Sequence, residues 1–334
     1  MGWRLARRPE GGDYLSCLEY GELPAETLRP GEVRVRTIYL SIDPTNRIWM
    51  NAADSYLPAV PLGSVMRGIA ISVVEESRTP ELPEGTLVQG LTGWQLSASV
   101  PASSLNRLPH LPLPLTAHFG LLGHIGMTAW FGLTEVGGAR NGETLVVSAA
   151  AGAVGSLAAQ IGNNLGMRVV GIAGGPEKCR WLREDLGLDA AIDYRAASLP
   201  DALREACPDG VDVDFENVGG STLDAVLGHL RNGARVALCG MISQYNSVNP
   251  ATLANFGYVL IRRARIQGFI VTDYLPRFAE AYPRVIEWHL AGKLKYRVDV
   301  TEGLERAHLA LEKLFTGKNE GKVLVRVSAE PSST

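Results

Sequence analysis

Thr144-Leu-Val-Val-Ser-Ala-Ala-Ala-Gly-Ala-Val-Gly-Ser156 is the stretch on which the fold turns. Leu145 to Val147 form a short apolar run of the kind that becomes a buried strand. A glycine turn follows, after which Leu157, Ala158, Ile161 and Leu165 recur at helical spacing until Gly166 stops the pattern. Strand, glycine turn and helix open a dinucleotide-binding unit. Gly152 lets the backbone approach a pyrophosphate, Gly155 lets helix and strand pack closely, and the helix N-terminus faces the anion. The spacing Ala149-x-x-Gly152-x-x-Gly155 is a looser version of the three-glycine fingerprint. By itself it also fits an ordinary tight βα turn.

The flanking sequence favours the first reading. Downstream, β and α patterns alternate: Arg168 to Ala173 is a second strand, and Pro176 to Leu182 begins a helix with proline near its first position, closed by Gly187. Ala190 to Tyr194 is the third strand and Val211 to Phe215 the next. A helix over Ser221 to Leu230 follows, with Ser221 as its N-cap. Arg235 to Gly240 and Ile266 to Val271 complete the strands. Such alternation calls for a parallel sheet with helices on both faces. Helices are expected over Pro276 to Leu290 and Gly303 to Phe315, the second with Leu304, Ala307, Leu311 and Leu314 on one face.

Upstream, the first 115 or so residues read as β-rich. Val33 to Leu40 alternates at period two, Ile69 to Val74 and Leu87 to Leu91 are further strands, and Pro30-Gly31, Pro58, Pro61, Gly63 and Pro83 to Gly85 punctuate them. Short, closely spaced strands suggest a small barrel or sandwich. Leu108 to Leu115, rich in proline, reads as an extended join, and Leu121 to Val136 as a buried helix. The last alternating segment, Gly321 to Val327, is expected to return to the N-terminal β domain. Only the last few residues read as disordered.

Composition bounds the function. The 334 residues leave room for two domains, and a net charge of −3 argues against nucleic acid or an anionic membrane as the main partner. No apolar run is long enough to span a bilayer, and the N-terminus lacks the apolar region of a signal peptide, so a cytoplasmic protein is expected. Cys17, Cys179, Cys207 and Cys239 are widely spaced, and no histidine pair has ligand spacing, so metal-free chemistry is expected. His118 and His124 read as structural or exposed.

The second strand selects the cofactor. In NAD-specific units a carboxylate at its end bonds the ribose 2′-OH. Here Ile172-Ala-Gly-Gly-Pro-Glu-Lys178 places no acid directly after Ala173, while Lys178 can meet a 2′-phosphate and Arg180 or Arg195 can add positive potential. Glu177 reads as a first-turn acid stabilised by the helix dipole. NADPH is the expected cofactor.

Several motifs, in order along nearly the whole chain, resemble one family. They are Leu40-Ser-Ile-Asp-Pro44, Leu62-Gly-Ser-Val-Met-Arg-Gly68, Gly126-Met-Thr-Ala-Trp-Phe-Gly-Leu133, Ser148 to Ser156, Gly171 to Cys179, Asp214-Phe-Glu-Asn-Val-Gly-Gly220 and Cys239-Gly-Met-Ile-Ser-Gln-Tyr-Asn246. Their combination is similar to the zinc-independent medium-chain dehydrogenase/reductases, in the prostaglandin reductase and alkenal/one oxidoreductase branch. The Gly-His-Glu segment and cysteine cluster of the zinc-dependent relatives are absent from the sequence.

The resemblance implies an α/β fold: a Rossmann doubly wound parallel sheet over 121–300, with a GroES-like β-barrel over 1–120 completed by 301–334. It also implies a homodimer. Gly152, Ala153, Val154 and Gly155 match the family's pyrophosphate turn, and Lys178 and Tyr194 the side that holds the adenosine 2′-phosphate. Asn217, Cys239, Gly240 and Tyr245 match the ribose-to-nicotinamide stretch, Phe269, Ile270 and Val271 the nicotinamide strand, and Asn319 a tail contact to the cofactor. The implied activity is reduction of the C=C bond of α,β-unsaturated ketones or aldehydes. A quinone reductase and a non-catalytic NADPH-binding protein are the alternatives.

Enone reduction needs a positioned hydride, a donor for the carbonyl oxygen and a proton for the α-carbon. Tyr245 is the expected donor, because a phenol with a pKa near 10 stays protonated at neutral pH. Trp49, Met50, Tyr56 and Trp94 are candidates for an apolar substrate wall, Trp49 and Tyr56 foremost. The stretch Asp43-Pro-Thr-Asn-Arg-Ile-Trp-Met-Asn51 departs from the better-known relatives at Thr45, Asn46 and Trp49.

Overall fold

The structure, a computed structural model, describes residues 1–24, 27–53, 55–249 and 251–331. Residues 332–334, at the end expected to be disordered, lie outside them. The chain divides into two compact units: Met1–Thr116 with Val298–Asn319 and Val323–Thr334, and Ala117–Arg297 with Glu320–Lys322.

The N-terminal unit begins with an antiparallel ribbon of β1 (Gly2–Leu5) and β2 (Leu18–Gly21). Its spine is β3 (Glu32–Ser41), which leads through the short helix α1 (Thr45–Trp49) to β4 (Ala70–Ser77), β5 (Leu87–Gly90), β6 (Ser97–Pro101) and β7 (Leu105–Arg107). In β3 the alternation holds over its first half, where Val33 and Val35 are buried, and fails from Thr37 onward, where every residue is buried. The strand serves two cores. Val33 and Val35 pack with Val74, Val88 and Leu105, while Leu40 joins Trp3, Trp49, Met50 and Trp94. The register between β3 and β4 shifts between Arg34 and Val35 and again between Thr37 and Tyr39. Such bulges bend and twist a sheet, as barrel closure requires.

In the second unit α2 (His124–Phe131) runs into a π-helical turn over Gly132–Val136, so the single expected helix is broken in type. A Cβ at Gly132 would overlap the rings of Phe269 and Phe215, which explains the glycine. Six strands follow: β8 (Thr144–Val147), β9 (Arg168–Ala173), β10 (Ala190–Asp193), β11 (Val211–Glu216), β12 (Leu230–Leu238) and β13 (Arg265–Gly268). All pair in parallel, in the order β10-β9-β8-β11-β12-β13, the doubly wound order 3-2-1-4-5-6. Both faces of β8 are covered. Leu145 meets α3 (Ala153–Asn164) at Gly162, and Val146 joins the cluster of Leu203 on α5 (Leu199–Ala206) and Leu223 on α6 (Gly220–Leu227). That coverage is why the strand reads as an unbroken apolar run.

The remaining helices are α4 (Pro176–Glu184), α7 (Gly257–Ile261) and α8 (Phe278–Leu290). The chain then adds β14 (Val298–Glu302), α9 (Ala307–Thr316) and β15 (Lys322–Arg326). β15 pairs antiparallel with the second half of β3, Leu324 opposite Ser41, so the tail does complete the N-terminal sheet. On α9, Ala307 and Leu311 are buried with Leu304 just before it, and Leu314 packs against them as the spacing predicts.

Several boundaries differ from expectation; β12, expected from Arg235, already starts at Leu230, where the helix before it was expected to end. Ser221 lies inside the first turn of α6; Gly219, at φ +72°, occupies the cap without a side-chain bond. The final parallel strand ends at Gly268, and a 3-10 turn over Val271–Arg277 replaces the start of the expected helix. The short helices α1 and α5 and strands β1, β2 and β14 carry too little periodicity to stand out.

Candidate cofactor and substrate sites

β8 and β11 are neighbours whose following helices leave in opposite senses, so the switch point of the sheet lies beyond their C-terminal ends. Ala149 turns the chain there in the left-handed region at φ +48°, a conformation uncommon outside glycine, and its carbonyl accepts from Gly152 N–H at 2.8 Å. A Cβ on Gly155 would collide with that same carbonyl. Gly152 caps α3 without a side-chain bond, and the N–H groups of Ala153, Val154 and Gly155 fall in the first turn, where a helix has no acceptors for them. Aligned N–H groups and the helix dipole make this an anion cradle. The cradle has a second wall absent from the sequence reading: Gly152 forms a parallel bridge with Gly321. Gly321 stands at φ +72°, where a Cβ would strike the Arg297 carbonyl.

The opposite wall is the turn after β11. Asn217 donates from its backbone to Ser148 Oγ and from Nδ2 to Ser148 O, both at 2.7 Å, tying the ends of β8 and β11 together. Below it, Glu216 is buried, and its Oε1 accepts from the N–H groups of Val218 and Gly219 at 2.5 Å. Burial raises the Glu216 carboxyl to about 7. Asp214, two residues back on the same face, is buried with no hydrogen-bond partner on either oxygen among the described residues, and burial plus the neighbouring Glu216 hold its pKa well above the carboxylate range.

At the end of β9, Gly174 leaves room for Tyr194 and Arg195: a Cβ there would lie 2.9 Å from the Tyr194 hydroxyl and from Arg195 Nε. Arg195 sits 5.7 Å from the Tyr194 ring centroid, and Lys178 occupies the first turn of α4. The acid of this corner, Asp193, accepts from Gly175 N–H (2.9 Å) and Arg195 N–H (3.0 Å) through Oδ1. Its carboxylate holds two turns together. Glu177 is exposed, in the first turn of α4.

Beyond β12, Cys239 and Gly240 both donate from their backbones to Glu216 O. Burial, with Glu216 nearby, pushes the Cys239 thiol up to about 12. It stays a protonated thiol at neutral pH. The Tyr245 hydroxyl accepts from Met241 N–H at 3.0 Å and lies over Gly240. Phe269 packs edge-on against Phe215, and Ile270 continues as extended chain to Val271.

In the N-terminal unit Trp49 is buried, with its ring 6.3 Å from that of Tyr56 in an edge arrangement. The Tyr56 hydroxyl is bonded to Thr45 Oγ1, and its ring is 43% exposed. Met50 and Trp94 are fully buried among Trp3, Leu5 and Leu40, so they are core residues and no substrate wall. Asn319 closes a stretch of this unit, directly before the Glu320–Lys322 segment that reaches the glycine turn. Sequence reading overlooked Ser148, Asp193, Glu216 and Gly321. All four stood inside segments quoted above, but nothing in the local pattern marked their roles.

A switch-point crevice walled by a glycine turn and the start of α3, on a unit joined to an antiparallel barrel, defines a dinucleotide-dependent oxidoreductase architecture. Residues 1–108 match the N-terminal domain of oxidoreductase family, and residues 153–290 match the family described as zinc-binding dehydrogenase. The chain is 41% identical to NADPH-dependent curcumin reductase of Escherichia coli, over 98% of this chain and 97% of that protein. It is 42% identical to 2-alkenal reductase (NADP(+)-dependent) of Nicotiana tabacum, over 90% and 88%. The crystal structure of CurA from Vibrio vulnificus in complex with NADPH superposes with a TM-score of 0.93, at 39% identity over 98% of this chain and 99% of that one. The chain belongs to the medium-chain dehydrogenase/reductase family, in the branch that holds the alkenal reductases. Among the described residues no three His, Cys, Asp or Glu side chains are grouped to hold a metal ion, so the residues do not fit the zinc of that family description.

Proposed function

We propose that the protein is an NADPH-dependent ene reductase acting on α,β-unsaturated ketones or aldehydes. The observation that carries this reading is the Tyr245 hydroxyl, held by Met241 N–H at 3.0 Å over the turn that follows β12. NADPH when bound would supply the hydride. The first turn of α3 would take the pyrophosphate; Lys178, Tyr194 and Arg195 would take the 2′-phosphate end, with Asp193 occupied by backbone N–H groups. Asn217, Cys239, Gly240 and the Phe269–Val271 segment would line the nicotinamide half, and Asn319 would close on the cofactor from the tail. The names of the Escherichia coli and tobacco relatives, and the NADPH held by the Vibrio structure, support the choice of cofactor.

Of the rest of the chemistry, the chain's own residues polarise the carbonyl, and the α-carbon takes its proton from the Tyr245 phenol or from water. As the β-carbon is reduced, negative charge gathers on the carbonyl oxygen, and a preset donor stabilises it more than it stabilises the ground state. A phenol oxygen that already accepts an N–H bond is a stronger O–H donor, because hydrogen bonds in a chain polarise one another. We assign Tyr245 this role, residues 1–120 with 301–334 as the catalytic domain, and Trp49 and Tyr56 to substrate contact.

A homodimer is part of the proposal. The parallel sheet ends at β13, whose outer edge has no strand beside it among the described residues. Near it Phe256, Leu260 and Ile261 are exposed, Leu260 to 83%. An uncovered edge beside apolar side chains is what a second copy would cover. The four thiols, free in the structure, suit a cytoplasmic location.

The test is NADPH oxidation, with NADH alongside, against enones, enals, quinones and saturated aldehydes, with products identified. Saturated ketones formed preferentially with NADPH are expected. Turnover confined to quinones would make the protein a quinone reductase, and binding of NADPH without turnover of any acceptor would make it a non-catalytic binding protein.

A further inference from the structure

Arg67, just before β4, differs from three arginines that flank it in the N-terminal unit. Arg34, Arg36 and Arg78 each pair with a glutamate. The Arg67 guanidinium is half-buried and, among the described residues, makes one hydrogen bond, from Nη1 to Pro58 O at 2.7 Å, and no ion pair. Its place is fixed from both sides. Asn46 Nδ2 donates to Arg67 O at 3.0 Å, Met66 is fully buried, and the space beside Gly68 is filled by Trp94 and Leu40. The guanidinium carbon lies 5.3 Å from the centroid of the Trp49 ring.

Two further donors stand with it. Trp49, 4% exposed, has a buried Nε1–H that makes no well-formed hydrogen bond among the described residues and interacts only with the Tyr56 side chain. Tyr56, edge-on to Trp49, has a hydroxyl that feels the charge of Arg67. A half-buried cation without a paired carboxylate is costly, and a buried N–H that is only weakly satisfied adds to that cost. An oxyanion relieves both. Burial lowers the Arg67 pKa, the direction expected of a cation awaiting a partner. Asp43, which raises the Tyr56 pKa, accepts from Ser41 Oγ at 2.5 Å and does not pair with Arg67.

We propose that Arg67, with Trp49 and Tyr56, forms a carboxylate-recognising subsite, so that the favoured substrates are enones carrying a carboxylate. The inference rests on the ene-reductase reading for its substrate class, though the subsite itself is defined by the Arg67–Trp49–Tyr56 geometry. A guanidinium with four of its five N–H donors outside the Pro58 bond can meet both oxygens of a carboxylate, which lysine's point charge cannot.

The test uses full-length protein loaded with NADP⁺ and two saturated ligands, 4-oxo-4-phenylbutanoate and its methyl ester, with affinities measured by calorimetry. The carboxylate is expected to bind about tenfold more tightly than the ester, as one charge-assisted pair would give. In Arg67→Gln that ratio should collapse to near one, and Arg67→Lys should keep part of it. The corresponding unsaturated pair should show the same ratio in kcat/KM. Equal affinities in the wild type, or a ratio that survives Arg67→Gln, would overturn the proposal. A purely structural Arg67 would lower the melting temperature and weaken both ligands alike, which also overturns it. A carboxylate preference in binding without turnover of either enone would refute the ene-reductase reading while leaving the subsite standing.

Discussion

At the switch point of the parallel sheet, the groups aimed at a ligand are backbone N–H groups: the first turn of α3, with Glu216 and Ser148 holding the turn opposite. Around α1 of the N-terminal unit they are side chains: the Trp49 indole, the Tyr56 hydroxyl and the Arg67 guanidinium. A backbone-built site depends on what is missing, since glycine is required wherever a Cβ would strike a carbonyl. It therefore suits a group common to every substrate, such as a pyrophosphate. A site built from side chains can change its ligand by substitution without disturbing the chain path. The two regions should thus fail in different ways when altered.

Tyr245→Phe, which removes the hydroxyl proposed as the oxyanion donor, should have the largest effect. Removing a single preset oxyanion donor costs roughly 100-fold in kcat. NADPH affinity, measured by fluorescence titration, should move little. Unchanged turnover would exclude Tyr245 from catalysis. Gly155→Val comes next, because its Cβ would press on the Ala149 carbonyl. Overpacking costs about 1–3 kcal/mol, so NADPH binding should weaken about 10- to 100-fold. Near-normal affinity in a folded Gly155→Val protein would break the contrast between the regions.

Lys178→Ala should be milder. Loss of one partly exposed charge-assisted bond should raise KM for NADPH about tenfold and leave KM for NADH nearly unchanged. An equal rise for both would show that Lys178 does not read the 2′-phosphate. The smallest effect should be on stability. The folded Glu216 carboxyl titrates at about 7 because it is buried, against 4.5 for an ordinary glutamate. The folded state therefore keeps a proton that the unfolded chain has already lost. This contribution is fully present below pH 4.5 and is lost as pH rises through 7. Glu216→Gln retains an acceptor for Val218 and Gly219 N–H but cannot ionise. It should flatten the fall in denaturant midpoint between pH 5 and 8, and an unaltered slope would remove Glu216 as the titrating group.

How far the chain could be read in advance depended on the range over which each signal acts. The second strand emerged as Arg168–Ala173, where periodicity put it, because both faces of a parallel strand are buried and the apolar run ends where the burial ends. The tail's return to the N-terminal sheet was expected because the alternating β and α pattern ends before it, while its period-two alternation marked it only as a strand. Ser221 was misplaced as a cap because Gly219 turns at positive φ, which no local preference for serine reveals. Met50 and Trp94 were candidates for an apolar pocket wall and proved to be core. An apolar side chain carries no mark of which side of a sheet will cover it.

By itself the sequence determined the strands of the parallel sheet to within a few residues, the glycine turn after the first of them, and that no acid directly follows the second strand. These are properties of neighbours in the chain, legible through steric limits on φ and the periods of strand and helix. Tertiary structure alone decided the order in which the strands lie. It also decided the use of Glu216 as an acceptor for turn N–H groups, the bridge of Gly321 to Gly152, and the setting of Arg67 against Trp49 without a counter-ion. Each of these joins a residue to groups that the local pattern does not specify, and which groups meet is settled only when the whole core packs.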